Sequence, residues 1–177
     1  GLASPEVDVL FQDSSGALWF GSASPRRGGL SRLLNTKWTT YSLADGLAHD
    51  SITSIAQTTD GILWVGTGFG HVGGASRFDG TAWSSIGKSD GLAGAKVRSV
   101  FQDRDGRMWL GSEYDGITVL EGGRKTILTP DHGLVGWEVK EMVQDKDGVL
   151  WLATEDGVSR IVDPAPALKD LDVNNSQ

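Results

Sequence analysis

An all-β chain built of β-propeller blades is the architecture this sequence predicts, and three observations predict it. One string recurs four times, as SSGALWFGS, TDGILWVGT, RDGRMWLGS and KDGVLWLAT, with Trp19, Trp64, Trp109 and Trp151 spaced by 45, 45 and 42 residues. Turn residues divide each unit into four short segments of strand character, none with a sustained helical period. A four-stranded repeat of roughly 40–45 residues is the sequence signature of a propeller blade. The units fall at about 1–45, 46–90, 91–132 and 133–163, each expected to form a four-stranded antiparallel sheet.

Every unit opens on a Gly-Leu linker followed five residues later by a branched aliphatic, at Leu2/Val7, Leu47/Ile52, Leu92/Val97 and Leu134/Val139. The first strand, ITSIAQ in unit two, ends on a recurring glutamine: Gln12, Gln57, Gln102 and Gln144. Asp60-Gly61, Asp105-Gly106 and Asp147-Gly148 follow as hairpin signals, because glycine accepts the positive φ of a tight turn and aspartate tolerates it. The second strand, ILWVGT, is nearly continuous in apolar residues, as a strand covered on both faces by neighbouring blades requires. Its small residue (Gly21, Gly66, Gly111 or Ala153) is expected to let an aromatic side chain of the next blade approach closely. Third strands open at Gly29, Gly74, Gly116 and Gly157, and the fourth carries Trp38 and Trp83 in the first two units. Unit three departs from the pattern with Thr118-Val119 and no fourth-strand Trp, and unit four with Ala153. In residues 164–177, Leu168, Leu171 and Val173 are candidates for an outer strand, and the terminal NNSQ is predicted to be disordered.

Composition excludes several functions. With 16 Lys+Arg against 23 Asp+Glu, the 177-residue chain has a formal charge of -7 and no basic face for a phosphate backbone, so nucleic acid is not an expected partner. No apolar run reaches the roughly 18 residues of a membrane span, and the N-terminus lacks the basic-then-apolar order of a secretion signal. This segment is therefore not expected to insert into a membrane. The absence of Cys removes disulfides, thiolate metal sites and a cysteine nucleophile.

The ordered markers DGxLWxGT, then GLSRL or GASRF, then a Trp strand and DGL, resemble the two-component regulator propeller repeat over essentially residues 1–163. That resemblance implies a periplasmic or extracellular sensor region of a bacterial histidine kinase or hybrid regulator, acting in signal transduction without catalysis. Streptogramin-lyase-like propellers are a looser fit. Stacked blades must close or leave their end faces wet. The four units are compatible with a complete ring, with half a ring closed by a second copy as a homodimer, and with a segment adjoining further blades of a longer protein.

In an antiparallel blade, the connections from strand two to three and from strand four to the next blade emerge on one face of the ring, around the channel mouth. Residues that break the repeat there are the candidates, since repeating ones are explained by building the blade. Trp137 replaces Pro5, Asp50 and Ala95 at its register position, so it is a candidate to stack on a sugar ring or anchor a partner; local packing is the competing reading. Arg26 and Arg27 could meet a carboxylate or phosphate, or form a solvated loop tip. Tyr114 and Phe69 could extend an aromatic lining.

His49, His71 and His132 all fall in these loops, near Asp50, Asp131 and Glu155, but without metal-ligand spacing, so no metal or cofactor is expected. DRDG and DKDG lack the later ligands of a calcium loop, and GFGHVGG lacks the Lys-Ser/Thr and helix of a phosphate loop, which leaves a flexible blade loop. Asp45, Asp90 and Asp131 are assigned to turns. The sequence thus predicts a non-catalytic module that senses a small molecule or saccharide. A structural module closing a ring by oligomerisation, and a propeller lyase with a metal dependence, are the alternatives.

Overall fold

The computed structural model describes residues 1–165 and Leu168. Its strands form four antiparallel sheets in strict chain order. Blade one holds β1 (Val9–Gln12), β2 (Leu18–Ser22), β3 (Gly29–Leu34) and β4 (Lys37–Tyr41). Blade two holds β5 (Ile52–Gln57), β6 (Leu63–Phe69), β7 (Val72–Phe78) and β8 (Trp83–Ile86). Blade three holds β9 (Val97–Gln102), β10 (Met108–Ser112), β11 (Ile117–Glu121) and β12 (Arg124–Leu128). Blade four has three strands among the described residues, β13 (Val139–Gln144), β14 (Leu150–Thr154) and β15 (Val158–Ile161). First strands pack on one another in sequence order, β1 on β5, β5 on β9 and β9 on β13.

In blades one, three and four the first hairpin is fixed by an aspartate just upstream of the Ser15-Gly16, Asp105-Gly106 or Asp147-Gly148 pair. Asp13, Asp103 and Asp145 each accept backbone N–H groups of the turn through Oδ1, including those of Ala17, Arg107 and Val149 at 3.0, 2.9 and 3.0 Å. Through Oδ2 the same carboxylates accept the indole Nε1–H of Trp19, Trp109 and Trp151 at 2.8, 2.9 and 2.8 Å. One side chain thereby satisfies the turn and the indole donor six residues on, which is buried at Trp19 and Trp109 and exposed at Trp151. In blade two Thr58 stands at this position, and its hydroxyl donates to the Ile62 carbonyl at 3.0 Å.

The core lies between blades. Trp19 and Leu30 of blade one are buried with Ile52, Leu63, Val65 and Phe78 of blade two. Ala75 meets Val97, Met108 and Leu110 at the next joint, and Trp109 and Ile117 meet Met142, Leu150 and Leu152 at the last. Each large side chain fully buried this way contributes about 1.5–3 kcal/mol.

The recurring glutamine spans each joint. Its amide donates to the hairpin carbonyl of its own blade, as in Gln57 to Gly61 at 2.9 Å and Gln144 to Gly148 at 2.8 Å. Its carbonyl accepts a hairpin N–H from the blade before: Ser14 to Gln57 at 2.7 Å, Thr59 to Gln102 at 2.8 Å and Arg104 to Gln144 at 2.9 Å.

Three details differ from the sequence reading, and the four-stranded blade three agrees with it. The small residue of the second strand makes room for an aliphatic residue of the next blade, not for an aromatic: a Cβ at Gly21 would lie 2.5 Å from Ile52 Cγ2, and one at Gly111 2.7 Å from the Val139 carbonyl oxygen. GFGHVGG is a hairpin extension, with Gly68 paired to Gly73 and Phe69 to Val72 around a Gly70-His71 turn. Blade three forms its fourth strand without a Trp, and Lys125 in that place reaches the Asp90 carbonyl. Pro164, Ala165 and Leu168 are helical, and Leu168 is buried in the last core cluster. Leu171, Val173 and NNSQ lie outside the described residues.

Candidate functional site

The first strands line a central cavity of about 460 Å³ to which all four blades contribute. The residue after each recurring aliphatic faces it, and here the repeat changes chemistry from blade to blade: Asp8, Thr53, Arg98 and Lys140. Arg98 and Lys140 are tied at the rim rather than free. The Arg98 Nε lies 3.3 Å from Glu138, the Lys140 ammonium 3.5 Å from Glu138, and Arg98 Nη1 3.6 Å from Glu113, which also pairs with Lys96. Burial pushes the Glu113 carboxyl up, but donors from Lys96 and Tyr114 outweigh it and hold the carboxyl below its ordinary value. The arrangement is a nearly balanced, pre-oriented set of charges with side-chain donors and acceptors around one opening.

Three large rings stand exposed on the face bearing the loops: Phe69, Tyr114 and Trp137. Tyr114 donates its O–H to Glu113 at 2.8 Å, which raises the phenol pKa. Its ring lies 5.2 Å from that of His71 on the preceding blade, and the pair borders a cavity of about 200 Å³ with Lys88, Lys96 and Asp115. Lys88 and Asp115 are 3.2 Å apart across it.

Trp137 is anchored through its backbone. Its N–H donates to Glu155 at 2.8 Å and its carbonyl accepts from Gly116 at 2.8 Å, bridging blades three and four, while the residue remains 44% exposed. Burial pushes the Glu155 carboxyl up, but its own backbone N–H and those of Trp137 and Glu138 hold it below its ordinary value.

The remaining candidates do not join this group. Arg26 and Arg27 are exposed in the connection between β2 and β3, away from the lining of the central cavity. The His49 Nδ1 accepts the N–H of Ser51 at 2.9 Å. His132 Nδ1 accepts the N–H of Thr129 at 3.1 Å, capping a short 3-10 turn as Asp45 and Asp90 do at 2.8 Å in the preceding linkers. His132, not Asp131, is therefore the register partner of those aspartates. Among the described residues no three acidic or histidine side chains converge as a metal site. Asp8, Arg98, Lys140 and their partners Lys96, Glu113 and Glu138 escaped the sequence reading. The signal was present, since these residues break the repeat on the first strand as the other candidates break it in the loops.

Residues 46–69 and 91–114 match the profile of the Two component regulator propeller family. Comparison with curated proteins gives no match. Among solved structures, the chain is similar to the extracellular domain of BT3049, described as a hybrid two component system of B. thetaiotaomicron, at 22% identity and a TM-score of 0.73, over 88% of this chain and 21% of that one. The extracellular domain of BT4673 from the same organism gives 22% identity and 0.71, over 89% and 24%. Virginiamycin B lyase from Staphylococcus aureus gives 16% and 0.61, over 89% and 56%. The chain thus spans between a fifth and a quarter of the two extracellular domains, and at these identities the likeness is one of fold. No helix among the described residues is long and apolar enough to cross a membrane.

Proposed function

Because its second and third repeats match the Two component regulator propeller profile, we propose that this chain is a non-catalytic sensing module of a bacterial two-component receptor, working outside the cytoplasm. The observation that carries a binding role is the exposed Trp137 ring, backbone-anchored between two blades at a position where the fold requires no indole. Such a ring, with Tyr114 and Phe69 on the same face and fixed charges at the channel rim, offers stacking surface and polar partners to a saccharide-like ligand. Arg26, Arg27 and His71 belong to the wider loop face and are secondary contacts.

The test is a panel of neutral and acidic oligosaccharides screened by thermal shift, with hits measured by calorimetry. Trp137→Ala is expected to weaken a hit at least tenfold while leaving the unliganded melting temperature within about 2 °C, as surface substitutions do. Absence of any hit, or an affinity unchanged in Trp137→Ala, sinks this reading of the site. The fold likeness to a lyase makes a different forecast, in which a divalent metal raises thermal stability and alanine at His49, His71 or His132 removes the effect.

A further inference from the structure

Blades two and three each neutralise one guanidinium with carboxylates from the same two positions, one on the first hairpin and one at the end of the third strand. In blade three Arg107 lies 2.6 Å from Asp105 and 2.8 Å from Glu121, with Asp103 at 3.2 Å. In blade two the register partners of Asp105 and Glu121 are Asp60 and Asp79, and Arg77 acts on both. The Thr58 hydroxyl is the strongest influence on Asp60 and the Ala82 N–H on Asp79, and the Arg77 charge adds to them in holding both carboxyls below their ordinary value.

Blade one keeps the arginine and has neither carboxylate. Arg32 occupies the register of Arg77, while Ser15 and Leu34 stand where Asp60 and Asp79 do. Among the described residues Arg32 has no ion pair, and its Nε is buried without a hydrogen-bond partner. Its guanidinium is held in place by Trp19, with Cζ 5.3 Å from the ring centroid. A second cation joins it, because Lys37, paired with Leu34 across the turn, replaces Ala82 of blade two. Arg32 and Lys37 border a cavity of about 290 Å³ with Leu34, Asn35, Thr36 and Thr39. Neither the Lys37 ammonium nor the side-chain amide and hydroxyls of Asn35, Thr36 and Thr39 bond elsewhere among the described residues. The lining therefore holds two cations and three neutral polar side chains but no carboxylate, in a chain whose formal charge is -7. A buried guanidinium N–H without an acceptor is costly, and an anion supplied from outside removes that penalty.

We propose that this cavity binds a small dicarboxylate, whose two carboxylates take the places that Asp105 and Glu121 fill around Arg107. Arg32 offers a planar fork to one carboxylate and Lys37 a point charge to the other, with Asn35, Thr36 and Thr39 as further donors. The site lies at the end of blade one opposite the loops that carry Trp137, so it stands apart from the saccharide reading.

Calorimetric titration of the chain with succinate at fixed ionic strength tests this, with inorganic phosphate as the comparison anion. A saturable one-to-one isotherm is expected, weakened about tenfold in Arg32→Gln and about fivefold in Lys37→Gln. Ser15→Asp returns to blade one the hairpin carboxylate of blades two and three, so it should abolish binding. Lys37 and Ser15 are exposed, so these two variants keep the test decisive if Arg32→Gln, which loses the Trp19 contact, misfolds. Trp137→Ala should leave succinate binding unchanged, and its loss there would assign the ligand to the loop face and overturn the proposal. Absence of saturable heat overturns it as well, as does binding indifferent to Lys37→Gln and Ser15→Asp. Phosphate bound as tightly as succinate also overturns it, since the site would then take anions at large.

Discussion

At the scale of the residue, the repeated Asp–Trp bond explains why the tryptophan recurs with an aspartate six residues before it and not merely with another apolar side chain. Indole burial supplies apolar area, and the carboxylate removes the penalty of a buried N–H. For Asp13, burial pushes the carboxyl up, yet donors from Ser15, Trp19 and Ala17 outweigh this and hold it below its ordinary value of 3.8. A carboxyl depressed in the folded state contributes stability that is present above its unfolded value and lost as pH falls through the folded one. Asp13→Asn turns an amide NH₂ toward either the indole N–H or the turn N–H groups, so one buried donor loses its acceptor. The expected cost is about 1–3 kcal/mol near neutral pH, with the gap to the parent narrowing below the ordinary carboxylate value. Urea unfolding at several pH values checks both parts; a gap that stays constant down to the acid limit would show that the charge of Asp13 is irrelevant.

At the scale of the element, the joint between blades depends on glycine as spacing. A Cβ at Gly111 would sit 2.7 Å from the Val139 carbonyl oxygen, 2.9 Å from Val139 Cβ and 2.4 Å from Ser99 Oγ, so β10 and β13 must separate to accept it. Gly111→Ala is expected to destabilise by about 1–3 kcal/mol, as overpacking does, whereas Ala153→Gly perturbs no joint within the chain. Equilibrium unfolding of the two variants compares them, and equal effects would remove the spacing argument. The strands themselves were legible, because Asp-Gly hairpins, alternating turn residues and the Trp period are local signals. GFGHVGG was misread as a loose loop since glycine permits several conformations, and only pairing of Phe69 with Val72 selects the hairpin. The charged ring at the channel was overlooked for a different reason: Asp8, Thr53, Arg98 and Lys140 are far apart in sequence and meet only when four blades share an axis.

At the scale of the whole molecule, a blade array is a chain of nearest neighbours, so its stability is distributed by how many faces each blade has covered. Blades two and three are packed on both sides, and blades one and four on one side among the described residues. Local opening follows from this, since segments with fewer buried contacts open at lower free energy. In dilute solution, backbone amides of β6 and β10 are expected to exchange slowest, with those of β2 and β14 exchanging faster although they carry the same LW motif. Hydrogen exchange followed by mass spectrometry measures this order. Uniform protection across the four blades would contradict the nearest-neighbour account.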